Sequence, residues 1–157
     1  ELGEYNYRGI VLFSGFVEPM LDRRIYEHIA TIRSYLPLAK IEMVTNGDAL
    51  DKARLIKLFE SGLKTILISV YDGAEHAERF EKLCADANLK NEQYLIRHRY
   101  LPKEQNFGIT INNRSGMMSN AEYSIPVVDE PIQFPCYYPH YTFFMDYLGD
   151  VLLCPHD

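Results

Sequence analysis

The sequence predicts an α/β fold, in which a parallel β-sheet carries its connecting helices on the outside and is followed by a small β-hairpin module. Three observations lead there. Apolar runs of strand length alternate with segments of helical period from Ile10 to Leu101. Five of the eight prolines then fall at 126, 131, 135, 139 and 155, where that alternation stops. Near the end, two short apolar segments flank a glycine turn. On the residues alone the sheet is either open or a segment of a barrel.

A chain of 157 residues is one domain's worth, able to bury about 70% of the surface it would expose unfolded. Hydrophobic residues make up 47% and charged residues 24%, with a mean hydropathy of −0.21, which describes a globular chain rather than a disordered or fibrous one. Sixteen Lys and Arg against 22 Asp and Glu leave a charge of −6 and a pI near 5.4, so neither nucleic acid nor an anionic membrane surface is an expected partner. No apolar run reaches the length of a membrane span. The chain opens at Glu1 and closes at Asp157, directly after Cys154-Pro155-His156, and so reads as a piece of a longer protein.

The elements follow in order. Ile10 to Ser14 is an apolar run ahead of Gly15, as a strand buried on both faces reads. A helix starts at Asp22; Ile25, Ile29, Ile32 and Leu36 line one face of it and Pro37 blocks its continuation. Ile41 to Thr45 is the second strand. Asp48 or Asp51 caps a second helix that carries Leu55, Leu58 and Phe59 on one side and ends at Gly62, which suits a left-handed position. Thr65 to Tyr71 is the third strand, and Asp72-Gly73 turns it into a helix with Ala77, Phe80, Cys84 and Ala87 at helical spacing. Tyr94 to Leu101 makes a fourth strand and Gly108 to Asn112 a further short one; the polar and proline-rich stretch beyond is a connector. Thr142–Asp146 and Val151–Cys154, separated by a turn with Gly149, form the hairpin.

Ligands of parallel α/β sheets bind beyond the carboxyl ends of the strands. The segments there are Ser14 to Pro19, Thr45-Asn46-Gly47, Ser69 to Gly73 and Arg97 to Arg99. Gly15 lets backbone approach a ligand, Glu18 can pair with an ammonium group, and Asn46 can bond hydroxyls or a base edge. Read singly, Gly-x-x-Glu-Pro and Thr-Asn-Gly-Asp also describe ordinary loops and caps. Four such segments at equivalent places favour a binding rim. A Gly-x-Gly-x-x-Gly motif and a phosphate-binding lysine loop are both lacking, which disfavours a doubly wound nucleotide-binding domain.

Ser-Gly-Phe-Val-Glu-Pro-Met-Leu after one strand, Thr-Asn-Gly after the next and Ile-Ser-Val-Tyr-Asp-Gly in the third resemble the core of radical S-adenosylmethionine enzymes from their second strand onward, over roughly Arg8 to Asn112. The resemblance implies a partial parallel (β/α) barrel over residues 1–112, a connector over 113–135 and a further module over 136–157. It also implies that Gly15, Phe16, Val17 and Glu18 hold the S-adenosylmethionine (AdoMet) amino group, with Val17 standing where glycine is common. Asn46 and Ser69 fall where the family contacts ribose or carboxylate, and Arg97 or Arg99 where a carboxylate partner sits; surface charge is the competing reading of the two arginines. Cys136, twelve residues, Gly149, four residues and Cys154 resemble the opening of the SPASM extension, which implies auxiliary [4Fe-4S] ligation by these two cysteines. A disulfide or two unrelated thiols is the alternative.

The implied parent is a cytoplasmic oxidoreductase-like enzyme that cleaves AdoMet reductively at a catalytic [4Fe-4S] cluster and abstracts hydrogen from a peptide or small-molecule substrate, with flavodoxin or ferredoxin as electron donor. The Cys-x-x-x-Cys-x-x-Cys loop for that cluster does not occur in this chain, so the chain alone is expected to be inactive. A binding or scaffold domain without the cluster loop is the rival reading. Cys84 sits on an apolar helix face and reads as packing. His28, His76, His98 and His140 are isolated, and His156 reads as a turn residue. Tyr137, Tyr138, Tyr141, Phe143, Phe144 and Tyr147 read as the packing of a small module.

Overall fold

The computed structural model describes residues 3, 4, 6–15, 17–105 and 133–154. The chain divides into two units, Glu1–Gly108 and Ile109–Asp157. In the first, β1 (Ile10–Phe13), α1 (Ile25–Tyr35), β2 (Lys40–Thr45), α2 (Lys52–Glu60), β3 (Thr65–Val70), α3 (Ala74–Asp86) and β4 (Tyr94–His98) follow one another, with 3-10 turns at Pro19–Leu21, Asn91–Gln93 and Lys103–Gln105. The strands pair in parallel in the order β1-β2-β3-β4, so Val11 stands opposite Ile41, Met43 opposite Ile66 and Ile68 opposite Ile96. Parallel neighbours in chain order place each helix beside the next: α1 touches α2 and α2 touches α3.

The expected β-α alternation is therefore present, while the expected partial barrel is seen only as an open four-stranded sheet. Its edges are β1 and β4, and four strands are too few to close on themselves. Residues 108–112, expected as a strand, and 113–132 of the expected connector lie outside the described residues.

Strand alternation sorts side chains onto two faces. Ile41, Met43, Ile66, Ile68 and Val70 point to the helices and join Ile25, Ile29, Leu55, Leu58, Phe80 and Cys84 in one core. Each fully buried Ile or Leu contributes roughly 1.5–3 kcal/mol of transfer free energy, so this layer holds the unit together. Burial also pushes the Cys84 thiol up to about 11, as its packing role requires. On the opposite face Ile10 and Leu12 are 53% and 51% exposed, whereas Leu67 and Ser69 of the inner strand β3 are buried.

Boundaries moved where local hydrogen bonds compete. α1 begins at Ile25 rather than Asp22, because Asp22 Oδ1 accepts from the Arg24 N–H at 2.8 Å and turns the chain first. That backbone bond is the main reason the Asp22 carboxyl lies below its ordinary pKa. Asp51, not Asp48, caps α2 by accepting from the Arg54 N–H. β4 stops at His98, short of Leu101, where the chain turns before Pro102. Gly62 takes φ +113° past α2, as expected.

Arg33 fastens the far end of the sheet. Its Nη1 donates to the carbonyls of Pro37 and Ala39 at 3.0 and 2.8 Å, and Nε and Nη2 donate to the Gly62 carbonyl at 3.3 and 2.8 Å. One guanidinium thus ties the α1-β2 loop to the turn that ends α2.

In the second unit, a single helical turn α4 (Tyr138–Tyr141) precedes β5 (Phe144–Met145) and β6 (Val151–Leu152), which pair antiparallel. The expected hairpin forms, with shorter strands. Of the expected aromatic packing the structure shows a part: Tyr138 and Phe144 are half-buried and Tyr138 meets Tyr141 edge-on with ring centroids 5.7 Å apart, while Tyr137, Tyr141, Phe143 and Tyr147 are each at least 66% exposed. One helical turn and two-residue strands present too little surface to cover them.

Replacing Arg33 by Met should lower the stability of the protein by about 2–3 kcal/mol, since the charged donor serves three carbonyls. Urea denaturation would show a lower midpoint at unchanged slope, and Arg33→Lys should recover less than half of the loss because an ammonium cannot fork.

Candidate functional site

Parallel pairing sends the exits of β1, β2 and β3 to one edge of the sheet. At the β1 exit Gly15 takes φ +113°, and Val17 is 58% exposed with its side chain outside the core. Phe16 lies outside the described residues. Glu18 is half-buried and caps the 3-10 turn Pro19–Leu21. Its Oε1 accepts from the Thr45 hydroxyl at 2.6 Å and from the Met20 N–H at 3.1 Å, and its Oε2 accepts from the Asn46 N–H at 2.8 Å. The carboxylate therefore bridges the exits of two adjacent strands.

All three donors are neutral, and among the described residues no Lys, Arg or His pairs with Glu18. A carboxylate offers about four acceptor sites, so three bonds leave one on Oε2. A half-buried anion held only by neutral donors is an arrangement that a cationic ligand group complements.

The β2 exit is built by its own side chains. Thr45 is 2% exposed; its hydroxyl accepts from the Gly47 N–H at 3.0 Å, which leaves its one hydrogen for Glu18. Asn46 Oδ1 accepts from the Asp48 N–H at 3.0 Å and Asn46 Nδ2 donates to Asp48 Oδ2 at 2.8 Å. One amide hydrogen and one carbonyl lone pair of Asn46 remain for a ligand. Gly47 takes φ +81°, and a Cβ there would lie 2.5 Å from Phe80 Cζ and 3.0 Å from Ile68 Cγ2, so the loop sits directly on the core.

On the face away from the helices Ser69, 4% exposed, is the register partner of Arg97. Burial, and then the neighbouring charge of Arg99, push the Arg97 pKa down, while Tyr71 and Glu42 act in the opposite sense. Arg99 Nε is buried without a hydrogen-bond partner among the described residues, and the Arg99 N–H extends the ladder to the Val70 carbonyl at 2.8 Å. Of the residues the sequence singled out, the structure joins Glu18 to Asn46 and pairs Ser69 with Arg97.

Sequence reasoning placed Thr45 in a rim segment but gave its side chain no role. A threonine closing an apolar strand directly before Asn-Gly was the available signal. The single histidines have local partners: Asp22 Oδ2 lies 3.1 Å from His28 Nε2, Asp72 Oδ2 lies 3.2 Å from His76 Nδ1, and the Tyr100 hydroxyl lies 3.0 Å from His98 Nδ1. His156 lies outside the described residues. A half-open cleft of ≈ 300 Å³ lies between Met20, Leu21, Arg23, Tyr26 and Arg54, and is lined by none of the rim residues above.

In the second unit Cys136 is exposed and Cys154 half-buried. Asp146 Oδ1 accepts from the Leu148 and Asp150 N–H groups at 2.8 and 2.9 Å, while Gly149 takes φ +92°. Among the described residues no three His, Cys, Asp or Glu side chains are placed to hold a metal ion.

No family model matches the chain. The class it resembles is that of S-adenosylmethionine-dependent dehydrogenases. In particular it is 26% identical, over 159 aligned positions and 100% of its own length, to the S-adenosyl-L-methionine-dependent 2-deoxy-scyllo-inosamine dehydrogenase of Niallia circulans. The chain spans 58% of the length of that relative. Its fold matches the crystal structure of BtrN in complex with AdoMet and 2-DOIA with a TM-score of 0.68 and 24% identity, over 99% of this chain and 56% of that one. The relation is thus to a SAM-dependent oxidoreductase, and no helix among the described residues is long and apolar enough to cross a membrane.

These findings overturn the SPASM module of the expected identification and support a SAM-dependent oxidoreductase as the class the chain is similar to. The relative that aligns across the whole chain, hairpin included, is this dehydrogenase. The physical reason for the misreading is in the turn: Asp146 capping two N–H groups and Gly149 in a left-handed conformation account for the Asp-x-x-Gly-Asp spacing without a metal.

Gly47→Ala should destabilise the protein by about 2 kcal/mol or more, from the positive φ and the overlap with Phe80. In a Phe80→Leu background the added cost of Gly47→Ala should be smaller, as a double-mutant cycle by thermal denaturation would show.

Proposed function

We propose that this chain is the AdoMet-binding part of a SAM-dependent oxidoreductase of the radical type, which dehydrogenates a small hydroxylated molecule. The observation that carries the reading is the similarity to a SAM-dependent 2-deoxy-scyllo-inosamine dehydrogenase along the whole chain. Glu18 supports it on physical grounds, because a half-buried carboxylate held by neutral donors suits the AdoMet ammonium.

In this reading Gly15 lets the protein backbone approach the ligand at the β1 exit, and Phe16 and Val17 belong to the segment that receives the amino group. Glu18 holds the ammonium through Oε2, and the unused hydrogen-bonding sites of Asn46 and the Ser69 hydroxyl serve ribose or carboxylate oxygens. Arg97 supplies the guanidinium for the carboxylate. Bound there, AdoMet supplies the hydrogen-abstracting chemistry of the reaction. The part of this chain is to bind, orient and exclude water.

The cysteines do not fit a catalytic iron-sulfur cluster: there are three in the chain, at 84, 136 and 154, and Cys84 is buried in the core. Cys136 and Cys154 we assign as a ligand pair of an auxiliary cluster. A [4Fe-4S] centre takes four ligands, so two more must come from outside the described residues. A one-electron donor of the flavodoxin or ferredoxin kind belongs to the same reading.

Calorimetry on the full-length protein should show AdoMet binding, and Glu18→Gln should raise the Kd about tenfold, the weight of one charge-assisted bond. Unchanged binding by the variant removes Glu18 from the site, and no binding by the wild type leaves the scaffold reading in possession. Iron analysis of anaerobically purified Cys136→Ala and Cys154→Ala proteins should show the loss of one cluster's iron in both. Full iron content in both variants would refute the ligand pair.

A further inference from the structure

We propose that Thr45 is a positioning residue for the ligand's cationic group, acting through Glu18. The inference deepens the AdoMet reading and rests on it. Three features of Thr45 carry it. The side chain is buried at the very end of β2, 2% exposed, where the strand's alternation places an apolar residue at every other helix-facing position. Its hydroxyl is held from both sides, donating its only hydrogen to Glu18 Oε1 at 2.6 Å and accepting from the Gly47 N–H at 3.0 Å. Finally, Glu18 and Thr45 are 27 residues apart in the chain, so the bond is tertiary and no part of a local turn.

The consequence lies in how the carboxylate is oriented. Oε1 is saturated by Thr45 and Met20, so the open acceptor site falls to Oε2, beside the Asn46 N–H. Without the Thr45 hydroxyl, the shortest of the three bonds is gone and Oε1 regains an open lone pair, so the carboxylate, held by one backbone donor on each oxygen, is less firmly set about its terminal torsion, a broad one for Glu, and offers two open sites instead of one. The charge would stay in the site while its direction was less defined. Binding of a cation should then weaken, whereas binding of ligand parts that never reach Glu18 should not.

The test compares AdoMet with 5′-methylthioadenosine, which keeps the adenosyl group and its methylated sulfur, now a neutral thioether in place of the sulfonium, and lacks the ammonium and carboxylate. Kd values for both are measured by calorimetry on the full-length protein, wild type and variants, with thermal denaturation alongside. Thr45→Val keeps the shape and removes the hydroxyl, and Thr45→Ser keeps the hydroxyl. The expected result is about a tenfold loss of AdoMet affinity in Thr45→Val, unchanged affinity for 5′-methylthioadenosine, and rescue by Thr45→Ser. In a Glu18→Gln background Thr45→Val should add little, because both act on one contact. A merely structural role would weaken both ligands together, and that outcome overturns the proposal, as does an unchanged AdoMet affinity in Thr45→Val. If Thr45→Val does not fold, Thr45→Ser and Thr45→Ala carry the same comparison. Absence of AdoMet binding in the wild type overturns the AdoMet reading itself and this proposal with it, whereas wild-type binding with an unmoved Thr45→Val overturns Thr45 alone.

Discussion

Four strands paired in parallel and in chain order deliver their exit loops to one edge of the sheet, and nearly everything chemical in this molecule is gathered there as a result. Parallel order alone brings loops near one another without fixing them. The Glu18 carboxylate supplies the fixing: it takes donors from its own 3-10 turn and from both residues at the end of the neighbouring strand. At the opposite end of the sheet Arg33 plays the matching part with carbonyls of two loops. One anion and one cation, each satisfied mainly by backbone, clamp the two ends of the same β-α layer, while the apolar core between them supplies the bulk of the stability.

The strands and helices of the first unit were legible because their signals are local. The runs Ile10–Phe13 and Thr65–Val70 are apolar over strand length, and Ile25, Ile29 and Ile32 recur on one helical face, so hydrophobic burial and element period agree. Helix starts were less legible, since Asp22, Asp48 and Asp51 are all capping residues in composition and only the fold decides which donor each meets. The rim could be placed from strand ends alone. Thr45 and Arg33 could not, because their partners lie 27 and 29 residues away and become neighbours only through the sheet.

The hairpin marks the opposite failing. Its existence was correctly read from Gly149 and the flanking apolar residues, whereas its identification as a SPASM module was not. Asp-x-x-Gly-Asp is what an aspartate-capped turn needs, so that spacing does not by itself specify the module. Spacing identifies a module only when the intervening residues have no structural reason of their own to be there.

Charge on the rim is divided by strand. The β1 and β2 exits present the Glu18 carboxylate, and β4 presents Arg97 and Arg99, whose mutual repulsion helps to push the Arg97 pKa down. An α-amino acid group carries an ammonium and a carboxylate only a few ångströms apart, whereas β2 and β4 are separated by two strand spacings, about 9.6 Å. A single zwitterion reaches both sides only if the arginine leans inward across β3. Burial and the neighbouring Arg99 charge disfavour the Arg97 cation, and a carboxylate brought beside it would offset both. Ser69, the register partner of Arg97 on β3, puts only a small hydroxyl side chain beside it.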